Sequence, residues 1–202
     1  MTAVKICGVT RPEDAAAAAA FGADFVGFVL WPNSPRAMTV DRIRPIVAAL
    51  PASAIPVGVF VDPTADEVIA AADAGIKIAQ IHSDAPAFLR GVTIPVVRVV
   101  HLSEDWIAPD VPDELIHLDA HDPVARGGTG RTIDWERAAA IARKRRVILA
   151  GGLTPANVGA AVARVRPYAV DVSSGVESSP GIKDHALIQA FVSAAKAAPE
   201  AL

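Results

Sequence analysis

The sequence alternates between short apolar runs that favour β-strands and longer segments that favour helices. Eight apolar runs recur along the chain: AVKIC, DFVGFVL, IPVGVFV, IKIAQIH, IPVVRVV, ELIHLD, RVILAGG and YAVDVSSG. Between them lie helix-like segments such as RPEDAAAAAAFGA, TADEVIAAADAG, TIDWERAAAIARK and TPANVGAAVARV. This alternation is typical of βα units built around a parallel sheet.

Eight βα units can close into a barrel or form an open, doubly wound sheet. No G-x-G-x-x-G pattern follows the first strand, which disfavours a dinucleotide-binding open sheet. Several apolar runs are nearly continuous, as expected for strands that are buried on both faces. No linker rich in proline, glycine or serine divides the chain. We therefore predict an α/β fold, a (β/α)8 TIM barrel, with residues 1–202 in a single domain.

Composition excludes several classes of function. Hydrophobic residues make up 52% of the chain and charged residues 20%, which is typical of a globular protein. The net charge of −3 offers no basic surface for a nucleic acid or an anionic membrane. The single cysteine excludes an internal disulfide, and neither a signal peptide nor a membrane span is recognisable. We expect a cytoplasmic protein without nucleic-acid or membrane partners.

Three helix starts carry residues that favour capping. The candidate N-cap residues are Thr10, Asp62 or Thr64, and Thr154. Gly22 and Gly75 follow two helical segments, where a left-handed residue commonly ends a helix.

Polar side chains cluster at the predicted strand ends. In a barrel of this kind the active site lies at the carboxyl ends of the strands. The candidates there are Cys7, Arg36, Gln80, His82, Arg98, Asp119 and Asp171. Because side chains alternate along a strand, three pairs are expected to share a face. These pairs are Lys5 with Cys7, His117 with Asp119, and Asp171 with Ser173.

An inward polar side chain must be hydrogen-bonded or in contact with a ligand, because burial without either is costly. Lys5 and Asp171 are compatible with an internal ion pair or with a functional site. His82 and His117 are compatible with structural or ligand-binding roles. No ligand spacing of the H-E-x-x-H kind is present, so we predict neither a metal nor a cofactor.

Two glycine-containing segments follow the seventh and eighth strands. They read AGGLTPANV and DVSSGVE. Backbone N–H groups at such turns form anion sites, and barrels often hold a phosphate between these two loops. The alternative is that the glycines merely allow tight turns. We predict a phosphate site at Gly151, Gly152, Ser173, Ser174 and Gly175.

These motifs together resemble the phosphoribosylanthranilate isomerase family of ribulose-phosphate-binding barrels. The matching segments are VKICGVTRPEDA, GFVLWPNSPR, VGVFVD, IAQIH, LDAHDPVARGGTGRTIDW, ILAGGLTPANV and VDVSSGVESSPGIKD. Their order and spacing cover nearly the whole chain.

The resemblance implies an Amadori rearrangement of N-(5-phosphoribosyl)anthranilate to 1-(2-carboxyphenylamino)-1-deoxyribulose 5-phosphate in tryptophan biosynthesis. It implies that Cys7 is the general base, that Asp119 is the general acid, and that Arg36 faces the anthranilate carboxylate. The other candidate substrate-binding residues are Lys5, His82, Arg98, Gly128 and Asp171. The partner is a phosphorylated sugar–anthranilate, and the chain is expected to be a monomer or a homodimer.

Two further expectations concern the environment of the reaction. Lys5 lies two residues before Cys7, so its ammonium is expected to lower the pKa of the thiol. The segment GGTGR, with Gly127, Gly128 and Gly130, is expected to close over the ligand, the alternative being an ordinary surface loop.

Two other functions are compatible with a barrel of this kind. An aminoaldose isomerase of the histidine pathway would share the barrel, but those enzymes usually use two aspartates, and Cys7 stands where a carboxylate is expected. A barrel that only binds a phosphorylated metabolite would not need both an acid and a base.

Overall fold

Eight parallel strands close into a barrel in the computed structural model, which describes residues 1–83, 90–102, 115–120 and 133–198. The strands are β1 (Ala3–Ile6), β2 (Phe25–Val29), β3 (Ile55–Val61), β4 (Ile78–His82), β5 (Val96–Leu102), β6 (Ile116–Ala120), β7 (Val147–Leu149) and β8 (Ala169–Val172). Each strand pairs with the next in the chain, and β8 pairs with β1 to close the ring. The predicted barrel is confirmed.

Among the described residues, helices follow β1, β2, β3, β6, β7 and β8, as predicted for βα units. They are α1 (Pro12–Ala20), α2 (Val40–Ala49), α3 (Ala65–Asp73), α4 (Trp135–Ala142), α5 (Val158–Val165) and α6 (His185–Ala197). After β8 the chain forms a 3-10 turn (Ser174–Val176) and an antiparallel hairpin of β9 (Glu177–Ser179) and β10 (Ile182–Lys183).

Two apolar layers hold this architecture together. The larger lies between the strands and the helices and includes Val4, Ile6, Phe28, Leu118 and Leu149. The smaller fills the amino-terminal end of the barrel interior and is formed by Phe25, Val57, Val97, Ile148 and Ala169. Each large buried side chain contributes about 1.5–3 kcal/mol. Apolar side chains thus fill the amino-terminal end of the interior, and the polar inward-facing side chains lie towards the carboxyl end.

Local capping explains where one helix starts. The Thr64 side chain accepts a hydrogen bond from Glu67 N, and the Glu67 side chain accepts one from Thr64 N, which forms the capping box that begins α3. Thr64, one of the two alternatives at this start, is therefore the cap. Gly22 and Gly75 have φ of +93° and +105°, as predicted for residues that end a helix.

The predicted caps Thr10 and Thr154 are wrong. The N-cap of α1 is Arg11, and Thr10 instead donates its hydroxyl hydrogen to Gly181 O at 2.5 Å, in the hairpin after β8. The N-cap of α5 is Asn157, whose side-chain oxygen accepts from Thr154 N at 2.8 Å. A contact with the distant hairpin replaces the expected cap at Thr10, and a contact within the turn replaces it at Thr154.

Candidate active site

The carboxyl ends of the barrel strands surround an open cavity of about 530 Å³. Residues from the ends of six strands line it, namely Cys7, Val29, Val61, His82, Asp119 and Asp171. The alternation of side chains predicts this, because these positions all carry the inward-facing parity of their strands. The cavity is the place where a ligand can reach several chemically different groups at once.

Cys7 and Asp119 both line this cavity. Cys7 directly follows β1 and is 8% exposed, and Asp119 lies on β6 and is 7% exposed. On the shorter way around the ring, two strands separate β1 from β6. A thiol and a carboxyl group that reach one cavity from separate strands can act on different atoms of the same molecule.

The environment of Cys7 contains opposing influences. Burial raises the pKa of the Cys7 thiol, while the Lys5 and Lys183 ammonium groups lower it, and the net direction is upward. The predicted effect of Lys5 therefore exists, but burial outweighs it. In the ligand-free protein the thiol is harder to ionise than a thiol in water.

Lys5 and Asp171 form an ion pair inside the barrel. Lys5 Nζ lies 2.8 Å from Asp171 Oδ2, and the two side chains are 1% and 6% exposed. His117 Nε2 lies 2.7 Å from the same oxygen. Burial lowers the pKa of Lys5, but the Asp171 carboxylate outweighs it and holds that pKa above its ordinary value. Of the two alternatives for this pair, the structure shows the ion pair.

The two members of the pair differ in their access to ligand. Asp171 lines the active-site cavity, and within the described ranges its Oδ1 has no hydrogen-bond partner. Lys5 instead lies beneath the cavity and lines a second, smaller space of about 190 Å³ towards the amino-terminal end. Lys5 is not among the residues that line the active-site cavity, whereas its ion-pair partner Asp171 is. Contact between Lys5 and substrate therefore stays a prediction.

Acid is expected to weaken the fold partly through Asp171. Burial raises the pKa of Asp171, but Lys5 and His117 outweigh it and bring that pKa from 3.8 to about 2. Because the folded-state pKa is depressed, this contribution is present above pH 4 and is lost as pH falls towards 2. It amounts to roughly 2 kcal/mol. Urea unfolding of wild type and Asp171→Asn at pH 5 and pH 2.5 checks this. An equally steep loss of unfolding free energy in the variant would contradict it.

His82 lies on β4 beside the cavity and is 4% exposed. Burial lowers the pKa of His82 well below its ordinary value, and the neighbouring His117 and His101 lower it further. The ring is therefore neutral at physiological pH. Its Nε2 contacts Gln80 Nε2 at 3.4 Å, and its Nδ1 has no partner among the described residues. A neutral imidazole at this place can exchange a hydrogen bond with a ligand hydroxyl.

The predicted phosphate-site residues meet at one side of the cavity. Gly151, Gly152, Ser173, Ser174 and Gly175 all line it. Gly151 and Gly152 adopt φ of +88° and +64°, a conformation that favours glycine. Backbone that approaches a ligand without an intervening side chain can offer it N–H groups. The glycine positions are thus required by conformation as well as available for anion binding.

Gly175 is packed against the loop after β7. A Cβ atom at this position would lie 2.0 Å from the carbonyl oxygen of Leu153, so the two loops would have to separate. Gly175→Ala is expected to destabilise the protein by about 1–3 kcal/mol. It should also weaken the binding of inorganic phosphate, so that the constant for inhibition of turnover by phosphate rises roughly tenfold or more. The reason is that the anion-binding groups move apart.

The matched control for Gly175 is Gly159, in the first turn of α5. A Cβ there would meet its nearest atom, Ala194 O, at 3.6 Å. Gly159→Ala should leave phosphate inhibition unchanged and stabilise the protein by about 0.5 kcal/mol or less, because glycine is less costly at a helix end than in the middle. Phosphate inhibition constants and urea unfolding of both variants are the measurements. Equal phosphate inhibition of the two variants would rule out this role of the turn.

Arg36 lies in the loop after β2 and lines the cavity. Its guanidinium group forms a two-pronged ion pair with Glu177 on β9. Nε lies 2.8 Å from Glu177 Oε1, and the terminal nitrogen Nη2 lies 2.6 Å from Oε2. Lys183 Nζ on β10 also contacts Glu177 Oε1 at 2.8 Å. We did not single out Glu177 and Lys183 from sequence, although both are charged residues of the VDVSSGVESSPGIKD segment.

Arg98 is not among the residues that line this cavity. Arg98 shares a face of the barrel with its register neighbours Ile81 and Ile116, which pack in the outer apolar layer. Val97 and Val99 hold the inward parity of β5, and Arg98 does not line the cavity. Substrate contact by Arg98 stays a prediction that this position does not support. Gly128, and the proposed lid with Gly127 and Gly130, lie outside the described residues.

The described residues contain no group of three or more His, Cys, Asp or Glu side chains arranged to hold a metal ion. No helix within the same ranges has the length and hydropathy needed to cross a membrane.

Comparison with known proteins decides the family. Residues 4–194 match the family model described as N-(5'phosphoribosyl)anthranilate (PRA) isomerase. The chain belongs to this family. The predicted family, barrel fold and isomerase activity are confirmed.

Individual phosphoribosylanthranilate isomerases resemble the chain over nearly its full length. The N-(5'-phosphoribosyl)anthranilate isomerase of Pelobacter propionicus is 42% identical over 201 residues, covering 97% of this chain and 96% of that protein. A crystal structure of a phosphoribosyl anthranilate isomerase in complex with reduced 1-(o-carboxyphenylamino)-1-deoxyribulose 5-phosphate has a TM-score of 0.82 and 35% identity, covering 97% and 99%. Monomers generated from the dimeric phosphoribosylanthranilate isomerase of Thermotoga maritima have a TM-score of 0.82 and 36% identity, covering 97% and 99%.

Proposed function

We propose that this chain converts N-(5-phosphoribosyl)anthranilate to 1-(2-carboxyphenylamino)-1-deoxyribulose 5-phosphate, with Cys7 as general base and Asp119 as general acid. The observation that carries the proposal is that both residues line one cavity at the carboxyl end of the barrel. The glycine and serine turns after β7 and β8 line the same cavity. The site thus combines two proton-transfer groups with a place for a phosphate.

The reaction requires two proton transfers at different atoms of one sugar. Protonated Asp119 gives its proton to the furanose ring oxygen, the bond from that oxygen to C1 breaks, and a Schiff base forms between C1 and the anthranilate nitrogen. The Cys7 thiolate then removes the proton from C2, and the resulting enolamine becomes the ketone. Hydrogen is redistributed within one molecule, so the proposed reaction needs no redox cofactor and no metal. Each acid–base group typically contributes about 10²–10⁴-fold to the rate.

The remaining cavity groups suit the remaining parts of the substrate. The phosphate is assigned to the turns with Gly152 and Gly175, and the anthranilate carboxylate to Arg36. The Asp171 Oδ1 atom and the neutral ring of His82 are suited to sugar hydroxyl groups, because each has a buried polar atom without a partner among the described residues. The ligand of the related crystal structure, reduced 1-(o-carboxyphenylamino)-1-deoxyribulose 5-phosphate, carries both a carboxyphenyl group and a phosphate.

The wider setting follows from the same chemistry. A cytoplasmic location would keep the single thiol reduced and available as a base. Residues 1–202 are proposed to form one domain, a monomer or a homodimer, whose partner is a phosphorylated small molecule.

The test is a direct assay with freshly prepared N-(5-phosphoribosyl)anthranilate, in which the loss of substrate fluorescence is followed. The purified protein should abolish the fluorescence catalytically. The aminoaldose substrate of the histidine pathway serves as the comparison and should react far more slowly. If fluorescence persists at the uncatalysed rate, the proposal is overturned. Faster conversion of the histidine-pathway substrate would reassign the function to that reaction.

A further inference from the structure

The carboxylate of Glu177 is buried between two cations at the edge of the active-site cavity. Its side chain is 4% exposed, that of Arg36 is 12% exposed, and that of Lys183 is completely buried. Glu177 Oε1 also accepts a hydrogen bond from Gly181 N at 3.3 Å. A carboxylate with this many partners is held firmly and keeps its charge, because burial raises the pKa of Glu177 but Arg36 and Lys183 outweigh it and lower that pKa.

Glu177 lies behind Arg36 as seen from the cavity. Arg36 is among the residues that line the cavity, whereas Glu177 and Lys183 are not. A guanidinium group has two edges that can grip a carboxylate. Glu177 holds the edge formed by Nε and Nη2, so the edge formed by Nη1 and the second N–H of Nη2 is not used in this pair.

The stem of Arg36 is confined as well. A Cβ atom at Gly8 would lie 2.5 Å from Arg36 Cδ and 2.9 Å from Ser173 Oγ. The side chain therefore passes directly over the turn after β1, next to Cys7. With its stem against Gly8 and its head on Glu177, Arg36 has little freedom left.

Lys183 connects this arrangement to the phosphate side of the cavity. Its Nζ donates to Glu177 Oε1 at 2.8 Å and to Ser173 O at 3.1 Å. It also compensates the charge of Glu177, so that the carboxylate stays paired whatever Arg36 binds on its other edge. The cluster of two cations and one anion has a net charge of +1, which one carboxylate of a ligand neutralises.

We propose that Glu177 is a positioning residue that fixes Arg36 with its second guanidinium edge towards the cavity, and that it thereby sets the preference for substrates with an aromatic carboxylate. The proposal rests on the proposed function, in which Arg36 receives that carboxylate. Glu177 itself does not touch the substrate.

The experiment compares the binding of two stable ligands by calorimetry. One is reduced 1-(o-carboxyphenylamino)-1-deoxyribulose 5-phosphate, and the other is the same compound without the ring carboxylate. Glu177→Gln should weaken binding of the carboxylated ligand by about tenfold and leave binding of the other unchanged, because a misplaced guanidinium loses a charge-assisted hydrogen bond. In turnover, KM should rise by a similar factor while kcat changes little.

Two further variants distinguish the positioning of Arg36 by Glu177 from the effect of the Glu177 charge and from a general effect on folding. Glu177→Asp keeps the negative charge beside Lys183 but is one methylene too short to hold Arg36, so it should show the same selective loss. Glu136→Gln is the matched control. Its carboxylate also forms a two-pronged pair with an arginine, Arg164, but at the surface, and the change should have no effect.

A double-variant cycle tests whether the two residues act together. Arg36→Lys should lose affinity selectively for the carboxylated ligand, and adding Glu177→Gln should cause no further loss, since the function of Glu177 operates through Arg36. Equal weakening of both ligands, unchanged or tighter binding of the carboxylated ligand, or additive losses would overturn the proposal. If the wild type fails to isomerise N-(5-phosphoribosyl)anthranilate, the proposed function fails instead, and the two failures are thus distinguishable.

Discussion

Replacing Cys7 by alanine is expected to lower kcat by about 10²–10⁴-fold, because the group that removes the C2 proton is lost. The side chain is nearly buried and belongs to the turn after β1, but the change removes one sulfur atom and leaves the backbone unaltered. The Lys5–Asp171 pair below it is also left in place. The fold and the binding of the reduced product analogue should therefore be retained.

Measurements on Cys7→Ala separate chemistry from binding. Loss of substrate fluorescence gives kcat, calorimetry gives the affinity for the reduced product analogue, and urea unfolding gives the stability. An alanine variant with the wild-type rate would remove Cys7 from the mechanism while leaving the fold intact.

The pH dependence offers a second signature of Cys7. The base acts as a thiolate, so kcat/KM should rise with pH through the pKa of the thiol. Because burial raises the pKa of Cys7 more than Lys5 and Lys183 lower it, this rise is expected on the alkaline side of an ordinary thiol. The rise should disappear in Cys7→Ser, whose hydroxyl does not titrate in that range. A wild-type rate that stays constant above pH 7 would contradict this assignment.

Asp119→Asn is expected to cause a loss of similar size, about 10²–10⁴-fold in kcat. An amide has the shape of the carboxyl group but cannot supply the proton that opens the furanose ring. Asp119 lies on the barrel strand β6, so the isosteric change should disturb neither the strand nor the cavity. Affinity for the reduced product analogue, whose sugar is already open, should be nearly unchanged.

The two variants should also differ in whether they form the open-chain Schiff base from the substrate. Ring opening is the step assigned to Asp119, so Asp119→Asn should accumulate no Schiff base, whereas Cys7→Ala should still form it. Rapid trapping of the imine with borohydride distinguishes the two. Trapped imine from Asp119→Asn, and none from Cys7→Ala, would reverse the proposed roles.

Much of this site follows from periodicity alone. The alternation in AVKIC places Lys5 and Cys7 on one face, and the structure confirms it, because β1 is a regular strand whose outward residues Val4 and Ile6 are completely buried. Thr64 was one of two candidate caps for α3, and the partner that makes it the cap, Glu67, lies within the same turn. Side-chain alternation and helix capping depend on residues close together in the chain, so the sequence can predict them.

Other features of the site depend on contacts between distant parts of the chain. The Lys5–Asp171 ion pair was one of two alternatives at the sequence level, because it depends on the register between β1 and β8 and no single strand contains that information. The hydroxyl group of Thr10 donates a hydrogen bond to a carbonyl group of the distant hairpin and does not cap α1. Arg98 lies in VVRVVHL, where apolar residues on both sides of the arginine hide which face is inward. The role proposed for Glu177 depends on the contact between the hairpin after β8 and the loop that carries Arg36. The sequence of either segment alone does not show this contact.

The ion pair between β1 and β8 has a consequence for how catalytic competence arises. It joins residues that are 166 positions apart, at the seam where the first strand meets the last. The thiol is carried by the opening turn of the chain, whereas Asp171, Lys183 and Glu177 come from its last part. A fragment lacking β8 and the hairpin would contain Cys7 and Lys5 but not Asp171 and Lys183, two further charges that act on the thiol. The electrostatic environment of Cys7 is therefore complete only when the first and last strands of the barrel have paired.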